Sequence, residues 1–202
     1  SGNIVIPDTC PVCGGKTEIR KINDAKSLYC INENCQAKKL KLYSLFVSRD
    51  AMDVDGLGAS IVESLIEKGY IKSPADIYYL TLDDIKSLWK SGSTAAKKLL
   101  NAIENSKQQD LSRLIYALGI RQVGAKTGKV LASTFGSMDA LMAAKLDTLT
   151  EIPDVGPITA SNIHGWFAQK QSCQMIERFR LAGVNFESKR VISDSRFAGM
   201  TF

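Results

Sequence analysis

Four of the five cysteines lie within the first 35 residues, where they form two close pairs. Two residues separate the cysteines of the first pair, four separate those of the second, and sixteen residues lie between the pairs. This spacing is typical of a tetrahedral zinc site, in which each pair directs two thiolates at one ion. The predicted ligands are Cys10, Cys13, Cys30 and Cys35. Because protein side chains fill all four positions, the sequence predicts structural Zn²⁺ and no catalytic residue at this site.

Two disulfides and a rubredoxin-like iron site are the alternatives to zinc. Disulfides are typical of small secreted domains, whereas the remainder of this chain is long enough to build its own core. A thioredoxin-like redox pair would accompany a βαβ unit, and none is visible. Gly14-Gly15 is expected to supply the positive φ that the first turn needs. Cys173 is expected to pack in a helix core, and the single histidine, His164, has no ligand-type neighbour in sequence.

Composition indicates a globular protein of 202 residues, with 45% hydrophobic and 23% charged residues. No apolar run approaches the roughly 18 residues that would span a bilayer. The net charge of +5 is unevenly distributed: +3 over residues 1–50, −2 over 51–110 and +4 over 111–202. A mild basic excess of this kind permits a polyanionic partner but does not require one.

A pattern centred on glycine occurs four times after the cysteine-rich segment. Each copy has an apolar residue four positions before the glycine, a small or apolar residue four after it, and an apolar residue seven after it. The glycines are Gly58, Gly92, Gly124 and Gly156, spaced 34, 32 and 32 residues apart. Offsets of four and seven share one helical face, so each glycine is predicted to join two packed helices. Ser73-Pro74, Thr81–Asp84 and Ser137 are predicted to start the helices between these hairpins.

Each hinge glycine is expected to adopt positive φ and to expose amide groups at the start of the next helix, which forms an anion site. Hydroxyl and basic side chains lie beside the second and third hinges, and hydroxyl side chains with Asn162 lie beside the fourth, as phosphate contact requires. The first hinge is surrounded by Asp53, Asp55 and Glu63, so it is expected to serve mainly packing, or to meet DNA through backbone amides only. The predicted DNA contacts are Gly58, Gly92, Thr94, Lys97, Arg121, Gly124, Lys126, Thr127, Lys129, Gly156 and Thr159.

Several motifs resemble the C-terminal half of bacterial NAD-dependent DNA ligases. They are Cys-Pro-Val-Cys-Gly at 10–14, the run Phe-Val-Ser-Arg-Asp-Ala-Met-Asp-Val-Asp-Gly-Leu-Gly at 46–58, Tyr-Ala-Leu-Gly-Ile-Arg-Gln-Val-Gly at 116–124, Phe-Gly-Ser-Met-Asp-Ala-Leu-Met-Ala-Ala at 135–144 and Ile-Pro-Asp-Val-Gly-Pro at 152–157. The resemblance implies a mainly α fold of tandem helix-hairpin-helix repeats preceded by a small four-cysteine zinc-finger module. The expected domains are the zinc-finger module at 1–45, a four-fold helix-hairpin-helix DNA-binding domain at 46–186, and a linker with a truncated start of a BRCT domain at 187–202.

Enzymes of this family adenylate a lysine of a Lys-x-Asp-Gly motif from NAD, pass AMP to the 5′-phosphate of a nick, and seal it with the 3′-hydroxyl. This chain contains no Lys-x-Asp-Gly. The resemblance therefore implies a fragment that is inactive alone, with NAD and Mg²⁺ used only by the full-length parent. Its expected partners are duplex DNA, nicked and held through backbone and minor groove, and the adenylation, OB and BRCT domains of the parent, with no membrane. The expected location is the bacterial cytoplasm, associated with the nucleoid, in DNA replication and repair.

Two other functions fit parts of the sequence. Another helix-hairpin-helix DNA-processing protein would share the hairpins but would not be expected to carry the cysteines or the 46–58 run. A zinc-bearing helical protein-interaction module without a nucleic-acid role would share the cysteines and the hairpins. Its glycines would only permit close packing of the helices. Ser1-Gly2 resembles the remnant of a cleaved tag, which predicts a piece of a longer protein.

Overall fold

A computed structural model describes residues 6–22, 24–89 and 93–189. The expectations for Ser1-Gly2, for Gly92 and for a BRCT strand after residue 189 lie outside these ranges. The chain forms two compact units that divide between Lys41 and Leu42. Within the described ranges, no helix has both the length and the apolar character needed to cross a membrane.

The first unit is built around one antiparallel hairpin. Strand β1 (Thr17–Ile22) pairs with β2 (Ala25–Cys30), in a register that places Thr17 opposite Cys30 and Ile22 opposite Ala25. These are the only paired strands among the described residues, as the scarcity of β patterns elsewhere predicted. The hairpin ends at the second cysteine pair, so it sets the distance between the two pairs.

Helices form the second unit, and the predicted mainly α class is confirmed. Helix α1 (Gln36–Val47) leads into it from the first unit. A short 3₁₀ helix (Pro74–Tyr79) lies between α2 and α3. The remaining helices are α2 (Ala59–Glu67), α3 (Leu82–Lys86), α4 (Ser93–Ser106), α5 (Leu111–Ala117), α6 (Ala125–Phe135), α7 (Met138–Met142), α8 (Leu146–Thr150), α9 (Pro157–Ala168) and α10 (Lys170–Leu181).

The helical unit contains an internal duplication. The order from α1 to α4 recurs from α5 to α9, and residues 73–99 correspond to 137–163 at a constant offset of 64. Both copies begin their middle helix at a serine, Ser73 or Ser137, and both bury an alanine completely, Ala96 or Ala160. The predicted helix starts are therefore confirmed. The Thr81 hydroxyl accepts from the Asp84 amide at 3.2 Å, and the Asp84 carboxylate accepts from the Thr81 amide at 2.9 Å.

Helix α10 closes the unit by returning to the first copy. Phe179 stacks on Phe46 with ring centroids 5.4 Å apart, and Tyr78 meets both rings edge-on at about 6 Å. The Tyr78 hydroxyl is 2.9 Å from the Ser106 hydroxyl, and burial raises the pKa of Tyr78 to about 12. An aromatic cluster that joins residues so far apart in sequence holds the first copy against the C-terminal helix.

Backbone hydrogen bonds after α10 tie the two copies together. The Asn185 amide donates to the Lys107 carbonyl at 2.8 Å, and the Met138 amide donates to the Phe186 carbonyl at 2.9 Å. The Lys189 amide donates to the Asp110 carboxylate at 2.7 Å. Residues 185–189 thus bridge the end of the first copy and the middle of the second.

Replacing Asp76 with Asn is expected to destabilise the helical unit at neutral pH by about 1–2 kcal/mol, because Asp76 pairs with Arg178 of α10 at a partly exposed position. Burial opposes ionisation of Asp76, but hydrogen bonds from Arg178 and the Lys72 amide outweigh it and hold the pKa below its usual value. A depressed pKa gives stability that is present above the unfolded-state value and is lost as the pH falls through the folded-state value. The difference in denaturant midpoint between the two proteins should therefore shrink below about pH 4.

Candidate zinc centre and nucleic-acid interface

The four predicted ligands converge on one point of the first unit. All four sulfur atoms lie within 4.8 Å of one another, with Sγ–Sγ distances of 3.9 Å for Cys10–Cys35 and 3.5 Å for Cys13–Cys30. A tetrahedron with Zn–S bonds near 2.3 Å has edges of about 3.8 Å. The arrangement therefore fits a four-thiolate metal ion. All the cysteines are free thiols, so the disulfide alternative is not adopted.

Two tight turns bring the cysteine pairs together. The Cys10 amide donates to the Gly15 carbonyl at 2.7 Å, and the Gly14 amide donates to the Cys10 carbonyl at 2.8 Å. Gly14 has φ +70°, so the predicted positive φ is confirmed at this glycine. Gly15 serves a different purpose, because a Cβ there would lie 2.9 Å from the Cβ of Asn32. The first turn can approach the second only because this position has no side chain.

Hydrogen-bond donors around the cluster favour the thiolate at one position. A hydrogen bond from Asn32 and another from the Gly15 amide lower the pKa of Cys13 to about 6. Burial has the opposite effect on Cys30 and raises its pKa to about 12. N–H groups directed at sulfur are the outer contacts expected around a thiolate-bound metal.

The three hinge glycines that the structure describes do not adopt positive φ, and for them that prediction was wrong. Gly58, Gly124 and Gly156 have φ of −77°, −88° and −76°, with ψ near 180°. Each is the N-cap residue of the following helix, which requires extended backbone. The glycine is thus the last residue before the helix, and the chain reverses earlier.

At the three described hinges, the reversal occurs two residues before the glycine. Gly56 has φ +86°, Gln122 has φ +66° and Asp154 has φ +67°. Only one of these three residues is glycine, so a pattern of glycines does not mark the position of the reversal. Asp and Gln tolerate the left-handed region at some cost, which the surrounding hairpin must offset.

The helices that follow the hinges begin with uncapped amides. No side chain caps α2, α6 or α9, although each helix accepts its first backbone bond at the hinge glycine carbonyl. An added Cβ at Gly58, Gly124 or Gly156 would meet nothing within 4 Å. The fold itself therefore does not require glycine at these three positions, and the backbone N–H groups present in the first turn of each helix can donate to an anion.

The third and fourth hairpins lie side by side. Lys126 Nζ is 3.8 Å from Asp154 Oδ2, which joins the start of α6 to the fourth hinge. The Asn162 side chain donates to the Arg121 carbonyl at 3.2 Å and lies 3.5 Å from Gln122 Oε1. Asn162 was expected to contribute to phosphate contact at the fourth hinge, but its side chain instead donates a hydrogen bond to the third hinge. The sequence carried no signal for this cross-hairpin contact.

Solvent exposure is consistent with the predicted interface. Arg121, Gly124, Lys126 and Lys129 are exposed around the third hinge, and Thr127 is partly exposed. Gly58 and Gly156 are exposed, Thr159 is partly exposed, and Thr94 and Lys97 are exposed on α4. The first hinge is acidic and open, with Asp53 and Asp55 both exposed.

Gly128 packs α6 against α5, as predicted for the small residue four positions after a hinge. A Cβ there would lie 2.9 Å from the Ser112 carbonyl oxygen. Gly128→Ala is therefore expected to force the helices apart and to lower the unfolding free energy by about 1–3 kcal/mol. The measurement is chemical denaturation against Gly124→Ala, whose added methyl group meets open space and should cost less than about 1 kcal/mol. Equal losses in the two variants would contradict the packing role.

Cys173 lies outside the core, contrary to its predicted place there. It is exposed, whereas Ser172 and Ile176 are buried at 5% and 1% exposure. The buried face of α10 contains Ile176 and Phe179, as predicted, and Ser172 in place of Cys173. His164 is also exposed, and no metal-type cluster among the described residues includes it.

The fold and the site define a class of protein that combines a four-cysteine zinc finger with helix-hairpin-helix repeats. The family described as "Helix-hairpin-helix motif" matches residues 113–176, and that described as "NAD-dependent DNA ligase C4 zinc finger domain" matches residues 9–37. The predicted resemblance to the C-terminal portion of an NAD-dependent DNA ligase is therefore confirmed.

Similar proteins extend this match to nearly the whole chain. The DNA ligase of Carboxydothermus hydrogenoformans is 43% identical over 198 residues, which are 98% of this chain and 30% of that protein. The DNA ligases of Thermoanaerobacter sp. (strain X514) and Geotalea uraniireducens are each 43% identical, over 200 and 199 residues and 98% of this chain. The chain spans about 30% of the length of these relatives.

Proposed function

We propose that this chain binds duplex DNA without sequence specificity, as a non-catalytic portion of an NAD-dependent DNA ligase that seals nicks in replication and repair. The observation that carries the proposal is the uncapped helix start behind an exposed glycine, found at three described hinges. Because the N-cap glycine has no side chain, a phosphate oxygen can reach the N–H groups of the first helical turn. The helix dipole favours the negative charge of the phosphate.

Glycine at these hinges is best explained by a ligand. The backbone at each is extended, and an added methyl group would touch no protein atom. What a side chain would obstruct is the approach of an external group to the helix start. The duplication makes Gly92, which lies outside the described residues, the counterpart of Gly156 at the same offset of 64. We assign it the same role.

The third hairpin is the strongest candidate for phosphate contact. Arg121, Lys126 and Lys129 are exposed on either side of Gly124. Contacts from amides, hydroxyls and basic side chains to phosphates fix a protein on the duplex but read no bases. Binding through such groups would follow the shape of the backbone, including a nick, in preference to the sequence.

The four cysteines are proposed to hold one structural Zn²⁺. The ion would crosslink the two turns and the β1–β2 hairpin, and with four thiolate ligands it would leave no open position for substrate. The NAD and Mg²⁺ chemistry of ligation is proposed to belong to the adenylation and OB domains of the full-length protein.

The test is the salt dependence of binding to a fluorescently labelled duplex that carries a single nick, with the intact duplex as comparison. If each hairpin contacts one or two phosphates, log K should fall with log salt at a slope of about −4 to −7. Tighter binding to the nicked duplex would support the ligase role. A flat salt response, or no binding, would instead favour a protein-interaction module and overturn the DNA proposal.

A further inference from the structure

The fourth hairpin differs from the other three at its most exposed position. Two residues after the hinge glycine, the first three hairpins have Ser60, Thr94 and Lys126, all capable of phosphate contact. The fourth has Ile158, whose side chain is 67% exposed. A large aliphatic side chain at the start of an uncapped helix forms no hydrogen bond with water and cannot donate one to a phosphate. Its exposure to water is therefore unfavourable.

Neighbouring residues make this hairpin a weaker phosphate site than the other three in two further ways. Pro157 occupies the first helical position and has no N–H, so one of the free amides of the other hairpins is absent. Helix α9 (Pro157–Ala168) carries no Lys, Arg, Asp or Glu. The closest charge at the hinge is Asp154, which is paired with Lys126.

Contacts with the third hairpin fix the position of the fourth hinge. The Lys126–Asp154 ion pair and the Asn162 hydrogen bond to Arg121 hold the two hinges against each other. If Lys126 contacts a phosphate, the fourth hairpin lies next to that phosphate through Asp154, and we expect the exposed Ile158 to face the same duplex. Beside a phosphate, the apolar surface of duplex DNA is the C–H face of the deoxyribose along the groove wall.

We propose that Pro157 and Ile158 form an apolar tip that packs on deoxyribose, and that Ile158 is a specificity residue for DNA over RNA-containing duplexes. The inference rests on the proposed DNA-binding function. A ribose would place a 2′-hydroxyl against the aliphatic side chain, and the hydroxyl would lose water without gaining a partner. The third hairpin supplies charge-based affinity, and the fourth recognises the sugar.

The experiment compares Ile158→Ala and Ile158→Val with the unchanged chain on a nicked DNA duplex and on a DNA–RNA hybrid of the same sequence, over a range of salt concentrations. Alanine is used in place of serine, because a serine could itself contact a phosphate as Ser60 can. Ile158→Ala should lower affinity for DNA roughly tenfold, leave the salt slope unchanged, and reduce the preference for DNA over the hybrid. Ile158→Val should keep most of both properties. The matched control is Lys129→Ala, at an exposed basic residue of the third hairpin outside the contacts between the two hinges, which should reduce the salt slope by about one and leave the DNA preference intact.

Each outcome bears on a separate claim. Because Ile158 is exposed, the variants should keep the circular dichroism and melting temperature of the unchanged chain, and this is checked first. Unchanged DNA affinity, a changed salt slope, or an undiminished DNA preference in Ile158→Ala would overturn the apolar tip while leaving the proposed function standing. Absence of salt-dependent binding by the unchanged chain would overturn the proposed function and the inference with it.

Discussion

Replacing Gly124 with valine should leave the helices intact and lower the affinity for duplex DNA by about ten- to a hundredfold. Gly124 has φ −88° and an added Cβ meets open space, so valine fits the folded chain. Its methyl groups would occupy the approach to the first amides of α6 and separate them from the phosphate. The loss is that of one or two hydrogen bonds to a charged group, and fluorescence anisotropy with the nicked duplex measures it.

Two control variants separate obstruction of the ligand from damage to the fold. Gly165 lies in the middle of α9 and is exposed, and an added Cβ there also meets nothing. Gly165→Ala should therefore keep full affinity and gain some helix stability. Gly58→Val, at the acidic first hinge, should cost less binding than Gly124→Val. Full affinity of a folded Gly124→Val protein would refute the role of the third hairpin.

Removal of the metal is expected to unfold the zinc module completely while the helical unit stays folded. Among the described residues of the first unit, only Cys10 and Cys35 are buried, whereas Ile19 and Leu28 are 52% and 40% exposed. The unit therefore has almost no apolar core apart from the ligands themselves. Zinc binding of about 10–16 kcal/mol in comparable modules is then the main source of its folding free energy.

Hydrogen exchange with and without a strong chelator gives the measurement. Amides of β1 and β2 should lose protection, whereas those of α5 and α6 should keep it. Cys13→Ala should reproduce the chelated state without any chelator, and Cys173→Ser should have no effect because Cys173 is exposed and outside the cluster. Loss of protection in α5 and α6 would mean that the zinc module is part of their core.

Most of the site follows from short-range patterns. The ligand set requires only the spacing of the cysteines, because two residues between Cys10 and Cys13 suffice for one turn. The hinges follow from a repeated glycine with apolar residues four and seven positions later, which share a helix face. The capping pairs, such as Thr81 with Asp84, are fixed within four residues. Such features depend on the chain immediately around them, so they can be predicted without the fold.

The conformation of the hinges could not be predicted in the same way. Glycine at the turn suggested positive φ, but Gln122 and Asp154 adopt it, and the glycines are extended. Sequence alone does not distinguish a glycine that is needed for its backbone from one needed for its missing side chain. That distinction requires the space around each Cβ, which is open at Gly124 and closed at Gly128.

The zinc-binding cysteines and the four-fold repeat were thus determined by the sequence itself, because each depends on residues a few positions apart. Only the tertiary structure showed that Asn162 bonds to the third hinge, that Cys173 is exposed, and that Asp154 of the fourth hairpin pairs with Lys126 of the third. These facts depend on how helices distant in sequence rotate and pack against one another, which is decided by the whole core. The cysteine cluster remains as predicted, but its burial shows that the metal site is itself the core of the first unit.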